Sequence, residues 1–458
     1  MFLKLFFIQF ANKIGMDKSI AYSSGAGLVQ GIAGVGMIFF IASFLDGVEQ
    51  GYYFTFNSIL AMQVFFELGL TGIITQYVAH EASHLELVDN KKYNGPSQYL
   101  SRLSSLIHFC VKWYSILSVL VLSFLLIVGW LFFSEYGKEH NGVEWRIPWL
   151  LICIGTAMKL FQSPLNSIFM GLGMVKEMNK IRFYQQIIIP ITIWIGLACG
   201  LKLYVTGIGY VISVIIWQIY VYRIGLYRLL ANLWRNVIVE RVDYIKEIFP
   251  YQWRIALSWL SGYFIFQLFN PVLFATEGAV VAGQMGLTIQ ALNSTMSLSM
   301  GWISTKIPVF SKYIALKDYF SLDRLFNKSI KQMGIICFVL LVLFFLVIVL
   351  LNVSRFSIGG NVISDRFLPY IPLILLIIPT FLFQFTYAWA TYLRCHKKEP
   401  FLLLSICEGV TVGLSTIVFG NLYGLLGVTV GYCTLKALIF PWGYYIFKIK
   451  KKQWHDSW

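Results

Sequence analysis

The sequence predicts an all-α polytopic membrane protein of about twelve transmembrane helices, arranged as two parallel six-helix repeats around a central cavity. Three observations predict it. The 458 residues are 58% hydrophobic and only 12% charged, with mean hydropathy +0.71, whereas a soluble chain carries roughly a quarter charged residues. Apolar runs of about 20 residues, the length a helix needs to cross a bilayer, recur throughout. The third observation is an internal similarity between the two halves.

The spans run at approximately 20–45, 50–79, 105–133, 148–172, 183–201 and 205–229, then 251–276, 280–311, 333–352, 367–393, 400–420 and 424–447. The longest linkers are 80–104, 230–250 and 312–332. Lobe boundaries follow: 1–230 as an N-lobe, 231–250 as a cytoplasmic linker, and 251–458 as a C-lobe with a basic tail. The apolar opening "MFLKLFFIQF" lacks a small-residue cleavage site and reads as an interfacial segment. Counting Lys and Arg by side gives 26 on the side of the termini and 5 on the other, namely Lys138, Arg146, Lys202, Arg355 and Arg366. This asymmetry places both termini in the cytoplasm. It also accounts for the net charge of +15 without a nucleic-acid partner, since no zinc-finger spacing, basic helix or RNA-binding signature accompanies it. The seven cysteines form no CxxC pair, so neither a disulfide nor a structural metal is expected.

A shift of 231 residues lays "GYYFTFNSILAMQVFFELGLTG" (51–72) on "AGQMGLTIQALNSTMSLSMGWI" (282–303). A shift of 222 lays "FQSPLNSIFMGLGMVKEM" (161–178) on "FQFTYAWATYLRCHKKEP" (383–400) and matches Lys176-Glu177 to Lys398-Glu399. Six spans return the chain to its starting side, so the repeats are parallel.

On these residues a resemblance arises. The first hairpin, "FIASFLDGVEQGYYFTFNSILAMQVFFELGLTGIITQYVAHEA" (40–82), and the basic elbows "GLGMVKEMNKIRF" and "LRCHKKEPF" resemble polysaccharide exporters of the multidrug/oligosaccharidyl-lipid/polysaccharide (MOP) superfamily, and within it O-antigen (Wzx-type) flippases. The resemblance implies export of a polyprenyl-pyrophosphate-linked oligosaccharide across a bacterial inner membrane by alternating access. It also implies membrane lipids, and a polysaccharide polymerase or assembly proteins, as partners. No cofactor is expected beyond coupling to a proton or sodium gradient.

Charges inside spans are costly, roughly 2.5–3.5 kcal/mol each on insertion scales, and ask for a reason. Lys112, Arg254 and Lys306 lie near the cytoplasmic ends, where snorkelling to headgroups competes with a cavity role. Lys159 and Lys436 lie mid-span. Lys159, Gln162, Ser163 and Asn166 form one stripe of a helix, and Gln63, Glu67 and Thr71 form another. Both stripes are candidates for a hydrated cavity that receives an anionic substrate; buried ion pairs such as Lys159 with Glu67 would leave the same pattern. Glu67 and Glu408 are the candidates for ion coupling, a helix-packing hydrogen bond being the alternative for Glu408.

One motif points elsewhere. His80-Glu81-Ala82-Ser83-His84 fits H-E-x-x-H, the spacing of a zinc protease. No aspartate lies within a span to complete such a site, and the aligned second-half segment "SKYIA" (311–315) holds no ligands. Only His108 among the other histidines lies near in the chain, so the expectation is a polar helix end with no metal. A glycosyltransferase-like enzyme is disfavoured by short outer loops and by a first loop reading "DGVE". A drug/cation antiporter of the same superfamily is the other alternative.

Overall fold

A computed structural model describes residues 18–88, 92–138, 142–358, 360–396 and 398–456. The opening segment 1–10 and His140 lie outside them, as does the side chain of Arg254, whose backbone is helical. A helix occupies each of the twelve expected spans. Seven helices, and an eighth counted as a bent pair, are long and apolar enough to cross a bilayer. Two that fall short, Arg146–Gly171 and Ala279–Ser304, are rich in polar side chains. The chain is an all-α, multi-pass membrane protein.

Several boundaries differ from those expected. The third span sits in Ser97–Tyr136, 40 residues long, and the ninth in Tyr319–Ser354, 36 residues long. The stretches read as linkers, 80–104 and 312–332, are therefore partly helical, with a short hairpin pairing Glu86–Val88 to Lys92–Asn94 in the first. The helices run on past the point where charge ends the apolar window. The last 55-residue helix, Leu402–Asp456, breaks at Gly424, where φ is 56° and ψ −137°, and is a hairpin of two arms.

Contacts divide the described chain into two compact units, neither of them a single stretch. One gathers residues 62–132 and 144–259 with those up to Val29; the other gathers 30–61, 133–143 and 260–456.

In the second unit, Gly47–Leu60 crosses Ala279–Ser304 at glycines. A Cβ on Gly51 would lie 2.6 Å from the Ala279 carbonyl carbon, and one on Gly283 would lie 2.8 Å from the Gly51 nitrogen. Gly47 and Gly51, four apart, give the small-residue spacing that lets backbones touch. The loop "DGVE" resolves here: Asp46 is the N-cap and Glu49 the reciprocal partner, a complete capping box. Beside it Tyr52, Phe133 and Phe274 pack with centroids 5.0 to 5.6 Å apart. At the basic end of this unit, Phe310, Phe326, Trp389, Tyr392 and Phe447 form a buried cluster.

In the first unit, Leu70–Ala82 lies on Arg146–Gly171, with Gly171 open to Thr75 and Val78. The second span is not one helix. Val64–Glu67 ends at Leu68 and Gly69, with φ of 51° and 69°, and the span bends by 45°. Glycine adopts this left-handed region freely and leucine does not. Gly69 leaves room for Ile255 and Trp259.

Candidate functional site

The deepest charges lie in the second unit. Lys436, on arm 425–456, ion-pairs with Glu408, on arm 402–423, and both side chains are only 6% exposed. The Lys436 ammonium lies 4.7 Å from the Phe383 ring centroid and 5.7 Å from those of Phe266 and Tyr432. Ring faces carry partial negative charge and add to what the carboxylate supplies. The same three rings help line a cavity of about 40 Å³ with Phe269, Asn293 and Thr380. Room for a water-sized occupant thus adjoins a buried ion pair.

Gln384, which the sequence reading passed over, is fully buried, and neither amide atom has a partner among the described residues. The shift of 222 that maps Gln162 onto Gln384 also maps Val214 onto Lys436. In the first unit Gln162 donates to the Val214 carbonyl at 3.3 Å. Here the repeat itself was the signal that could have singled out Gln384.

The first unit separates its polar stripe. Gln162 is buried against Tyr204–Arg223, and Asn166 accepts from the Trp217 indole at 2.9 Å on the same helix. Ser163 turns back to the Leu160 carbonyl at 2.9 Å. Lys159 remains exposed, its ammonium 5.1 Å over the Tyr210 ring. Among the described residues no ion pair joins it to Glu67.

Gln63 sits in the 3₁₀ turn Ala61–Gln63, and Glu67 ends the short helix before the break. Thr71 lies beyond the break, in the first turn of Leu70–Ala82. Lys112 is exposed beside Trp113 on the outer face of its helix, and Lys306 is the half-buried N-cap of Ile307–Ala315. These two are not brought to the polar stripe or to the ion pair.

The H-E-x-x-H stretch has a different use. Glu81 is buried and accepts from Arg102 Nε at 3.1 Å, while Arg102 Nη2 reaches Glu247 at 2.6 Å. His80 points outward, and His84 stacks on Tyr99 with centroids 4.1 Å apart. No group of three metal-ligating side chains occurs among the described residues. One guanidinium therefore ties the end of the second span to the linker, helped by the Tyr77 hydroxyl, which donates to the Glu247 carbonyl.

Burial works against the Glu247 charge. The Asp243 N–H at 2.9 Å and Arg102 outweigh it and hold the carboxyl below its usual range. A depressed pKa gives stability that is present above the ordinary carboxylate value, near 4.3, and is lost as pH falls through the lowered one. Amide protection of Val239, Glu240 and Val242 is therefore expected to weaken below about pH 4. In Arg102→Gln it should already be weak at neutral pH. Hydrogen exchange across pH checks both, and unchanged protection in the variant would show that the latch does not hold the linker.

The family model described as "Polysaccharide biosynthesis protein" matches residues 16–314. No curated protein matches by sequence. Among solved structures, an inward-facing multidrug resistance MATE family transporter of the MOP superfamily is 14% identical with TM-score 0.59, covering 92% of this chain and 99% of its own. The MATE multidrug transporter DinF-BH is 16% identical with TM-score 0.58, covering 94% and 95%. The lipid II flippase MurJ, in an inward closed conformation, is 14% identical with TM-score 0.58, covering 93% and 88%. At such identity the likeness is one of fold. With the family model spanning most of its length, the chain belongs to the polysaccharide biosynthesis protein family.

Proposed function

We propose that the chain is a flippase that moves a polyprenyl-pyrophosphate-linked oligosaccharide from the cytoplasmic to the periplasmic leaflet of a bacterial inner membrane. One observation carries the reading. Lys159 holds an ammonium mid-span, over the Tyr210 ring and with no carboxylate partner among the described residues, in a chain of the polysaccharide biosynthesis family. A pyrophosphate brings at least two negative charges that hydrocarbon cannot solvate. A cation at low dielectric offsets part of that cost several times more effectively than in water. Lys436 differs, because Glu408 already neutralises it.

The halves 1–230 and 251–458 are read as the two repeats that rock to alternate access, with both termini cytoplasmic. Glu67 is the better placed of the two ion-coupling candidates for a proton or sodium gradient. It sits at a helix break, where transporters expose backbone groups to ions. Arg254, Lys306 and Lys112 act at the membrane surface in this reading. The partners are the lipid-linked substrate, membrane lipids and the polysaccharide assembly proteins.

The test is flipping of undecaprenyl-pyrophosphate-linked oligosaccharide in proteoliposomes. Lys159→Ala is expected to lower the rate about tenfold, the equivalent of some 1.4 kcal/mol, and Lys159→Arg to retain most of it. Equal rates in wild type and Lys159→Ala would remove the cation from the mechanism. Efflux of a cationic dye by wild type, without lipid transfer, would favour the drug/cation antiporter.

A further inference from the structure

The linker between the two halves presents an unusual surface. Residues 235–243 form neither helix nor strand, and three serines of a neighbouring helix hold part of their backbone. Ser101 Oγ accepts from the N–H groups of Val239 at 2.7 Å and Glu240 at 2.8 Å, and donates to the Glu240 carbonyl at 3.0 Å. Ser105 Oγ accepts from the Val242 N–H at 3.3 Å, and Ser104 Oγ donates toward the carbonyls of Trp234 and Asn236. Ser101, Ser104 and Ser105 are spaced i, i+3, i+4, on one face of Ser97–Tyr136, and all three are buried.

Facing the other way are apolar side chains. Val237 is 79% exposed, Val239 81% and Ile245 72%, and Phe249 is half exposed. Arg235, Arg241 and Lys246 stand among them, exposed. Of the acids, Glu247 is taken by Arg102, and Asp243 caps Ile245 and Lys246 and pairs with the Lys246 ammonium at 3.8 Å, leaving Glu240. The segment follows a helix that packs Leu226, Leu229 and Leu233 inward, and it leads into the spanning helix that begins at Ile255.

We infer that the linker is an interfacial strap. Its valines, Ile245 and Phe249 enter the boundary between headgroups and acyl chains of the adjacent leaflet, and Arg235 and Arg241 bind phosphates of anionic phospholipids there. Irregular backbone pays for every open N–H and C=O group it carries into that region; the serine ladder closes the N–H groups of Val239, Glu240 and Val242 and the carbonyls of Asn236 and Glu240 from behind. Apolar side chains flanked by cations are what an interfacial segment presents to anionic lipid. This surface is independent of what the protein carries.

The test places the photo-cross-linker p-benzoylphenylalanine at Val237 or Val239 in the full chain. The protein is reconstituted in nanodiscs of phosphatidylethanolamine with a quarter phosphatidylglycerol, and folding is confirmed by gel filtration. Irradiation is expected to give phospholipid adducts by mass spectrometry at both positions. The pair Arg235→Gln and Arg241→Gln should cut the phosphatidylglycerol share several-fold while phosphatidylethanolamine adducts persist. Photolysis without lipid adduct would overturn the inference. So would cross-links to a second copy, or to another protein when the experiment is run in native membranes. An unchanged phosphatidylglycerol share in the double variant would overturn the assignment to anionic lipid.

Discussion

Replacing Glu408 with Ala is expected to destabilise the protein by about 3–5 kcal/mol, because it leaves the Lys436 ammonium buried without its counter-charge. Lys436→Met should do similar damage by stranding the carboxylate. The double change Glu408→Gln with Lys436→Met should recover most of the loss, since it removes both charges while keeping volume. The rings of Phe266, Phe383 and Tyr432 soften the Glu408→Ala penalty by lying against the ammonium, so it should be the milder of the single changes. Unfolding midpoints in detergent of wild type, Glu408→Gln, Lys436→Met and the double variant close a double-mutant cycle. Additive losses would mean that the two groups do not depend on each other. A single change costing well under 1 kcal/mol would mean that the site is wetter than its 6% exposure implies.

The second large effect is steric. A side chain on Gly51 would run into the Ala279 backbone, with its Cβ 2.6 Å from the carbonyl carbon and 2.8 Å from Cα. Backbone cannot turn aside as a side chain can. Gly51→Ala should cost about 1–3 kcal/mol through forced separation of the helices, and Gly51→Leu should abolish the folded protein. Gly72 is the control: it is helical with open space around its Cβ position, so Gly72→Ala should be neutral or gain about 0.5–1 kcal/mol. Thermal unfolding followed by gel filtration separates these outcomes. A folded Gly51→Leu protein of wild-type stability would show that the crossing at these glycines is not close-packed. Gly283 meets Gly51 at the same point, so alanines at both positions should combine non-additively.

What could be read from the chain depended on whether the signal was local. Apolar runs located all twelve spans, because hydrocarbon imposes the same demand on every residue of a run. Hydropathy also misplaced the ends of Ser97–Tyr136 and Tyr319–Ser354, since a helix leaving the membrane keeps its hydrogen bonds while its side chains turn polar. The break at Leu68 was illegible: leucine rarely takes a positive φ, and only the following glycine hinted at a turn.

Periodicity put Lys159, Gln162 and Asn166 on one stripe. It could not say that Gln162 and Asn166 are engaged by Tyr204–Arg223 while Lys159 remains exposed. Glu408 and Lys436 were each noticed, but not as a pair. Their places on two antiparallel arms either side of the turn glycine Gly424 were the missed clue. The carboxylate of H-E-x-x-H was legible as a motif residue and misleading as one, because its partner Arg102 comes from the next helix.

The helix that carries the serine ladder has a mechanical consequence. Its 40 residues reach about 60 Å at 1.5 Å per residue, roughly twice the hydrocarbon thickness of a bilayer. Such a rod is a lever with its fulcrum inside the membrane and one tip at the membrane surface. A tilt of about 10° at the fulcrum sweeps the tip through about 5 Å, close to one helical pitch. Ser101, Ser104 and Ser105 lie at that tip, where the linker is fastened. A rotation too small to reshape the packing inside the bilayer would thus be geared up where the strap is tied.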